Sequence, residues 1–273
     1  MNYRHAYHAG NFADCMKHAL LVTLLQSFLR KPAPFMVLDT HAGIGRYDLH
    51  SPEAEKTQEW RDGIGKLWGE PPSSPLADWL AQVRLAGGPQ FYPGSPLIIA
   101  QMLRAQDTLI CCEKHPEDKR TLYRLFTNTP NVTVHERDAY EALRALLPPK
   151  TAKRGLVLID PPFEEQGEFN RLAQAVQTIQ TRFANAIIAI WYPIKHRTPV
   201  RIFHETLVGA GIRNICVAEL LMRPPHNPDQ LNGAGLLIMR PPFGFAEQAG
   251  TQLERLQHVL GAYESCVTQL VAE

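Results

Sequence analysis

The sequence predicts an α/β fold: a seven-stranded, mostly parallel sheet with helices on both faces and a small helical insertion. Three observations predict it. Short apolar runs recur along the 273 residues, and those at 35–39, 108–113 and 156–160 each stop at a carboxylate. Runs of this kind suit strands buried on both faces. Stretches with apolar residues at helical spacing lie between them, so strand and helix alternate as parallel connections require. Near the end, residues 215–222 and 235–239 read as two strands joined by a polar loop rich in Pro and Asn.

Residues 1–9 carry Tyr3, Arg4, His5, Tyr7 and His8 ahead of any regular element. Such side chains can stack on bases while their cations hold phosphate. They equally suit an arm packed on the body. His5, His8, Cys15 and His18 fit no common zinc spacing, and no metal is expected. A helix is predicted over 11–30, with Asn11 as its cap. Met16, Leu20, Leu24 and Phe28 recur at helical spacing, and Pro32 and Pro34 end the run. Strand 35–39 leads into the turn Thr-His-Ala-Gly-Ile-Gly45. Glycines there let backbone approach a ligand closely. Only two are present, so the dinucleotide fingerprint is incomplete.

Residues 51–90 break the alternation. Trp60, Trp68 and Trp79 stand among leucines and are interrupted by Pro71, Pro72 and Pro75, which predicts two inserted helices with the tryptophans as core. Tyr92-Pro-Gly-Ser95-Pro then opens a helix over 97–103, with Ser95 as cap and Pro96 in the first turn. Strand 108–113 ends in Glu113, where ribose hydroxyls are commonly gripped in this architecture. Glu113 lies 74 residues after Asp39, not the ~20 of dinucleotide folds, and the insertion accounts for the gap. A helix over 116–126 and a strand over 131–135 come next. Asp138 reads as a helix cap or as an acceptor for an adenine amine. Helices are further predicted over 169–183, 198–210 and 253–260, with strand 186–191 running into Tyr192-Pro193. Arg240-Pro-Pro-Phe243 copies a string found earlier in the chain but has arginine where that string has a carboxylate, and it is read as a decoy.

Hydrophobic residues make up 45% of the chain, enough for a full core and too many for a disordered one. The formal charge is +1, with 28 basic and 27 acidic side chains, so global charge does not announce a nucleic-acid partner. Electropositive surface must be local. Arg4 with Lys17, residues 150–154 and residues 195–201 are the candidates, each also readable as a solvated stretch. Five cysteines form no Cys-x-x-Cys pair, and no apolar run approaches the ~20 residues of a membrane span. No leader peptide opens the chain. These features predict a reduced, cytoplasmic, monomeric protein with no membrane partner.

The stretch carrying most chemistry is Leu156-Val-Leu-Ile-Asp160-Pro-Pro-Phe163. The two prolines end the strand and stiffen the loop after it. A carboxylate, exposed carbonyls and an aromatic face therefore stand at the strand's carboxyl end, the edge where ligands sit in open α/β sheets. An exocyclic amine on a nucleobase is planar, and it must become more tetrahedral to attack a methyl donor. Asp160 and the Pro161 carbonyl can each accept one amine hydrogen and favour that shape. Phe163 can stack on a base taken out of its helix.

Asp-Pro-Pro-Phe after an apolar strand resembles the catalytic motif of S-adenosylmethionine-dependent amino-methyltransferases. Tyr-Arg-His-Ala-Tyr-His-Ala-Gly-Asn at 3–11, Leu-Asp-Thr-His-Ala-Gly at 38–43, Tyr-Pro-Gly-Ser-Pro-Leu at 92–97 and Trp-Tyr-Pro at 191–193 more closely resemble the 23S ribosomal RNA adenine-N6 methyltransferase J family. The resemblance spans nearly the whole chain. It implies a class I methyltransferase (Rossmann-like) fold, with the main domain at 1–50 and 91–273 and the insertion at 51–90. It implies S-adenosyl-L-methionine as methyl donor and 23S ribosomal RNA as partner. Asp160, Pro161 and Phe163 take the catalytic roles. Lys17, His18, Asp39, His41, Gly43, Ser95, Glu113, Asp138, Ala139 and Asp160 face the cofactor, with His41 standing where most methyltransferases have glycine. Tyr3, Arg4 and Phe163 face the substrate. The rival readings are a DNA adenine-N6 methyltransferase, an RNA-binding protein of the same fold without chemistry, and a nucleotide-dependent oxidoreductase.

Overall fold

A computed structural model describes residues 4–150 and 152–271. Helix α1 (Phe12–Leu29) starts where the Asn11 side chain accepts the amides of Ala13 and Asp14, and it stops just before the prolines at 32 and 34. It is apolar on nearly every face and buried along most of its length. Strand β1 (Met36–Asp39) comes next. A short strand β2 (Arg46–Asp48) pairs antiparallel with β3 (Phe91–Pro93), so the chain leaves and returns at one place. Between them lie α2 (Pro52–Thr57), α3 (Glu59–Asp62), a 3-10 turn at Ile64–Leu67 and α4 (Ala77–Leu85). The insertion is thus more broken than two helices, because Gln58 takes a left-handed backbone and the prolines at 71, 72 and 75 admit no helix between the 3-10 turn and α4. Its buried residues, among them Ile64, Leu67, Trp79 and Val83, share one apolar cluster with α1.

The remaining elements are α5 (Ser95–Met102), β4 (Thr108–Glu113), α6 (Pro116–Leu125), β5 (Val132–Glu136), α7 (Ala139–Leu146), β6 (Gly155–Ile159), α8 (Glu168–Arg182), β7 (Ile187–Ile194), α9 (Arg197–Gly209), β8 (Ile215–Leu221), β9 (Gly233–Met239), α10 (Phe245–Leu260) and β10 (Glu264–Val271). The main sheet runs β10-β8-β9-β7-β6-β1-β4-β5. Strands from β7 to β5 are parallel, and β9 is the antiparallel strand wedged between β7 and β8. This is the terminal strand pair that the class I methyltransferase resemblance implies.

Among the described residues the main sheet has eight strands where seven were expected. The extra one, β10, pairs antiparallel with β8 at the sheet edge. Its Glu-Ser-Cys-Val-Thr-Gln-Leu-Val sequence is half exposed, so it lacks the apolar run that marks the inner strands. Those inner strands split their side chains by period two. Val37, Leu156 and Leu158 point into the layer of α1, α5 and α10, whereas Leu38, Val157 and Ile159 point into the layer of α7, α8 and α9.

Strand β7 runs through Trp191-Tyr192-Pro193, three residues further than expected. Proline is tolerated there because β6 ends its pairing at Ile190, which leaves the missing Pro193 amide facing no partner strand. Tyr192 is buried, and its hydroxyl donates to Glu219 Oε1 at 2.8 Å. Its ring covers Gly235 on β9 so closely that a Cβ there would collide with it. Gly235→Ala should therefore lose about 1–3 kcal/mol of stability by overpacking. A lower urea midpoint at unchanged denaturant slope would show this.

Candidate active site

The carboxyl ends of β1, β4, β5 and β6 open into a cavity of about 340 Å³. That volume falls in the usual range for small-ligand sites. Strands β1 and β6 are neighbours whose connections leave in opposite directions, the place where open α/β sheets bind ligands. Asp39 and Asp160 end these two strands. The amino-terminal turns of α1 close the cavity from one side.

Lys17 on α1 is the charge at its floor, 4% exposed. Its Nζ lies 2.9 Å from Asp14 Oδ1, one helical turn earlier, and 2.5 Å from Asp160 Oδ2. Burial alone would push the Lys17 pKa down, but the two carboxylates outweigh it and the net direction is up. Asp14 is as buried, and burial pushes its pKa up. His5, Lys17 and His18 together reverse that and hold it well below the usual carboxylate range. The other Asp14 oxygen accepts from the Gly10 amide at 3.0 Å and lies 2.9 Å from His5 Nε2. The amino-terminal arm is thereby fastened to α1, and His8 reaches Glu59 of α3 at 3.0 Å.

Ser95 does not cap its helix. It occupies the first helical position after Gly94, and its hydroxyl donates instead to Asp39 Oδ2 at 2.6 Å. Asp39 is fully buried, and burial together with the Asp160 charge pushes its pKa up to about 7 despite that hydrogen bond. Ser95, His41, Gly43, Glu113, Asp138, Ala139, Lys17, His18 and Asp160 all line the cavity, while Asp39 sits behind it and is reached through Ser95. Glu113 accepts the amides of Gly43 and His115, each at 2.8 Å. Gly43 has φ of +58°, and a side chain there would meet the Tyr47 hydroxyl. Asp138 caps α7 through the amides of Tyr140 and Glu141 and takes Lys114 at 3.1 Å. Capping and cavity lining hold at once for this residue. His18 and His41 are pushed down by burial, to about 3 and about 4, so both rings are neutral at pH 7. His18 Nδ1 lies 2.8 Å from the Tyr92 hydroxyl, and its Nε2 is buried without a partner among the described residues.

Past Asp160, Pro161 and Phe163 also line the cavity. Phe163 holds φ of +52°, a left-handed backbone that non-glycine residues seldom adopt. Such strain persists where surrounding structure imposes it, and it clusters at functional sites. The ring meets Phe169 and Trp191 edge-on, at centroid distances of 5.0 and 6.0 Å. Arg4 lies outside the lining and pairs with Glu117 of α6 at 2.8 Å. Tyr3 lies outside the described residues. Sequence reasoning missed Asp14, although it had a signal, a second charge one turn from Lys17 on an otherwise apolar helix. It placed His5 in the arm without its contact to Asp14, and Trp191 in a family motif without its contact to Phe163.

A family model described as "Ribosomal RNA large subunit methyltransferase D, RlmJ" matches residues 32–269. The chain belongs to the RlmJ family. Two RlmJ relatives, each named Ribosomal RNA large subunit methyltransferase J, bracket its divergence. The Haemophilus influenzae protein is 38% identical over 91% of this chain and 90% of its own length. The Escherichia coli protein is 35% identical, with both chains fully covered. The crystal structure of protein LPL1258 from Legionella pneumophila superposes with a TM-score of 0.86 at 31% identity, covering 96% of this chain and 97% of that one.

The buried charges of this RlmJ-family site have two measurable consequences. Lys17→Met strands two carboxylates and should cost about 3–5 kcal/mol at pH 7, read by chemical denaturation. Asp14 is depressed in the folded state, so its stabilisation is present above pH ~4 and is lost as pH falls through its folded value. The difference between Lys17→Met and the parent should therefore shrink below that pH. His18 works with the same sign. Its folded pKa of about 3 lies below the unfolded value of 6.5, so the unfolded chain binds the extra proton between them and stability falls with pH. His18→Asn should flatten the acid limb of the stability curve below pH 6.5.

Proposed function

We propose that this chain transfers a methyl group from S-adenosyl-L-methionine to N6 of an adenine in 23S ribosomal RNA. The observation carrying the proposal is the Asp160 carboxylate, pinned on one oxygen by buried Lys17 at the mouth of a nucleoside-sized cavity, with Pro161 and Phe163 beside it. The names of the two relatives support a large-subunit RNA substrate. The motif chemistry supports an adenine amine.

The donor set fits an adenosyl sulfonium. Glu113 stands at the end of β4 to take ribose hydroxyls, and Asp138 with Ala139 lies at the end of β5 to take the adenine edge. His18 and the close backbone at Gly43 line the space between. When bound, S-adenosyl-L-methionine supplies a methyl group already activated on positive sulfur.

The protein's part is alignment and electrostatics. Lys17 occupies Asp160 Oδ2, which leaves Oδ1 for one amine hydrogen of the target adenine. The Pro161 carbonyl takes the other. Two acceptors set at that angle draw the amine out of conjugation and turn its lone pair toward the donor. Positive charge then develops on N6 beside the Asp160 carboxylate, where it is stabilised. Asp160 need not remove a proton first, because the nitrogen is neutral before attack and sheds its proton afterwards. Phe163, braced by Trp191 and Phe169, offers the flat surface on which the extruded base stacks.

Incubation with labelled cofactor and protein-free ribosomal RNA, with mass mapping of the product, should yield N6-methyladenine in 23S RNA and none in duplex DNA. Label in DNA, or in no nucleic acid, would overturn the reading. Asp160→Asn should lower kcat by at least about 100-fold, the scale of one preorganised group. The cofactor should still raise its melting temperature.

A further inference from the structure

The catalytic mouth is a poor place to gain affinity for RNA. Its lining contains nine carboxylates and four Lys or Arg residues. The opposite rim of the sheet has the reverse balance. Seven loops stand at the amino ends of the parallel strands or beside them, at residues 30–35, 103–107, 126–131, 147–154, 182–186, 210–214 and 240–244. They contain nine Lys or Arg and one carboxylate, Asp107, which is buried against Arg104. Nine against one leaves eight positive charges in a chain whose formal net charge is +1, so the rest of the molecule nets seven negative ones.

These cations form a row. In sheet order, Arg213 precedes β8, Arg240 follows β9, Arg182 precedes β7, Arg154 precedes β6, Lys31 precedes β1 and Arg104 precedes β4. Six adjacent strands spaced ~4.8 Å apart make a row of about 24 Å. Arg154, Arg182, Arg213 and Arg240 donate to main-chain carbonyls, and among the described residues none pairs with a carboxylate. Helix dipoles favour cations near helix ends. They do not explain exposed Lys150 and Lys153, which lie in a loop beyond α7, nor why residues 147–154 contain no carboxylate. Nor do they explain Phe243, 98% exposed on a stalk of two prolines directly after Arg240. Two sequence features left without a role, the basic 150–154 stretch and the Arg-Pro-Pro-Phe string, meet on this rim.

We propose that the amino rim of the sheet is a second RNA-docking surface, in which the Lys and Arg side chains of its loops take phosphates and Phe243 stacks on an unpaired base. Cations spaced along one edge with an aromatic platform among them are the footprint of a single-stranded nucleic-acid track. The five residues of β6 alone set the two rims about 17 Å apart. Screening limits charge effects to about 8 Å. The rim therefore acts by touching RNA remote from the target base. A long RNA gains from it, and a short hairpin at the catalytic mouth does not. The proposal rests on RNA being the substrate, but its test does not need methyl transfer.

The variant Arg30→Gln/Lys31→Gln/Lys150→Gln/Lys153→Gln changes four exposed cations remote from the cavity. Filter binding to a long fragment of protein-free 23S RNA, without cofactor, reads the surface directly. Affinity should fall at least about tenfold at roughly 100 mM salt, and the log–log salt slope should flatten by about 3, as loss of four phosphate contacts requires. Phe243→Ala should weaken binding by about fivefold or more while leaving the slope unchanged, because stacking releases no counterions. Methylation of the shortest active hairpin should be unaltered in both variants. Unchanged affinity and slope on the long RNA would overturn the proposal. So would an equal loss on the hairpin, or disruption of a self-associated species while RNA affinity holds. If the parent binds long RNA through this rim yet methylates none, the function proposed above fails and this one stands.

Discussion

The interaction on which the site depends is the buried contact of Lys17 with Asp14 and Asp160. It joins the second turn of α1 to the end of β6 across 143 residues of chain. A lone ammonium at that depth would lose its proton, and a lone pair of carboxylates would repel. Together they hold each other charged where either alone would be expelled. One consequence is geometric. With Oδ2 held by Lys17, the carboxylate of Asp160 is fixed in place beside Pro161 in the cavity lining. Another is architectural. The arm at 4–11 is tied to the same cluster through His5 and Gly10, so the wall of the cavity and the Asp160 carboxylate are set by one network.

Around that network the site divides its polar groups by neighbour. Glu113 is partly satisfied by two backbone amides, which aims it without neutralising it. Asp39 is held by Ser95 behind the cavity wall, where burial favours its protonated form near neutral pH. Through Ser95 it braces the first turn of α5. The neutral His18 and His41 line the same space without adding charge to it. Phe163 completes the wall in a backbone conformation that costs energy. The cost is borne because Phe169 and Trp191 brace the ring from two sides.

The two rims of the sheet carry opposite charge balances. The carboxyl rim is rich in carboxylates, which suits a positively charged donor and a developing positive charge on an amine. The same charges disfavour a phosphate backbone. The amino rim is rich in arginines, four of which bond to main-chain carbonyls. A near-neutral total conceals this separation.

The sequence by itself determined the strands that end in carboxylates, the capped and apolar α1, the proline-stopped β6 and the candidate residues that converge on the cavity. These were legible because each is local: alternation, helical spacing, proline and Asn capping act within a few residues. It missed β10, whose half-exposed side chains carry no apolar run, and it assigned Ser95 the local cap although the hydroxyl turns to Asp39. Only the tertiary structure decided which oxygen of Asp160 is free, that Asp14 belongs to the site, that Trp191 braces Phe163, and that scattered arginines form one row. Each of these is a pairing between residues remote in the chain. Strand order and register create such neighbours, and no periodicity within a segment reports them.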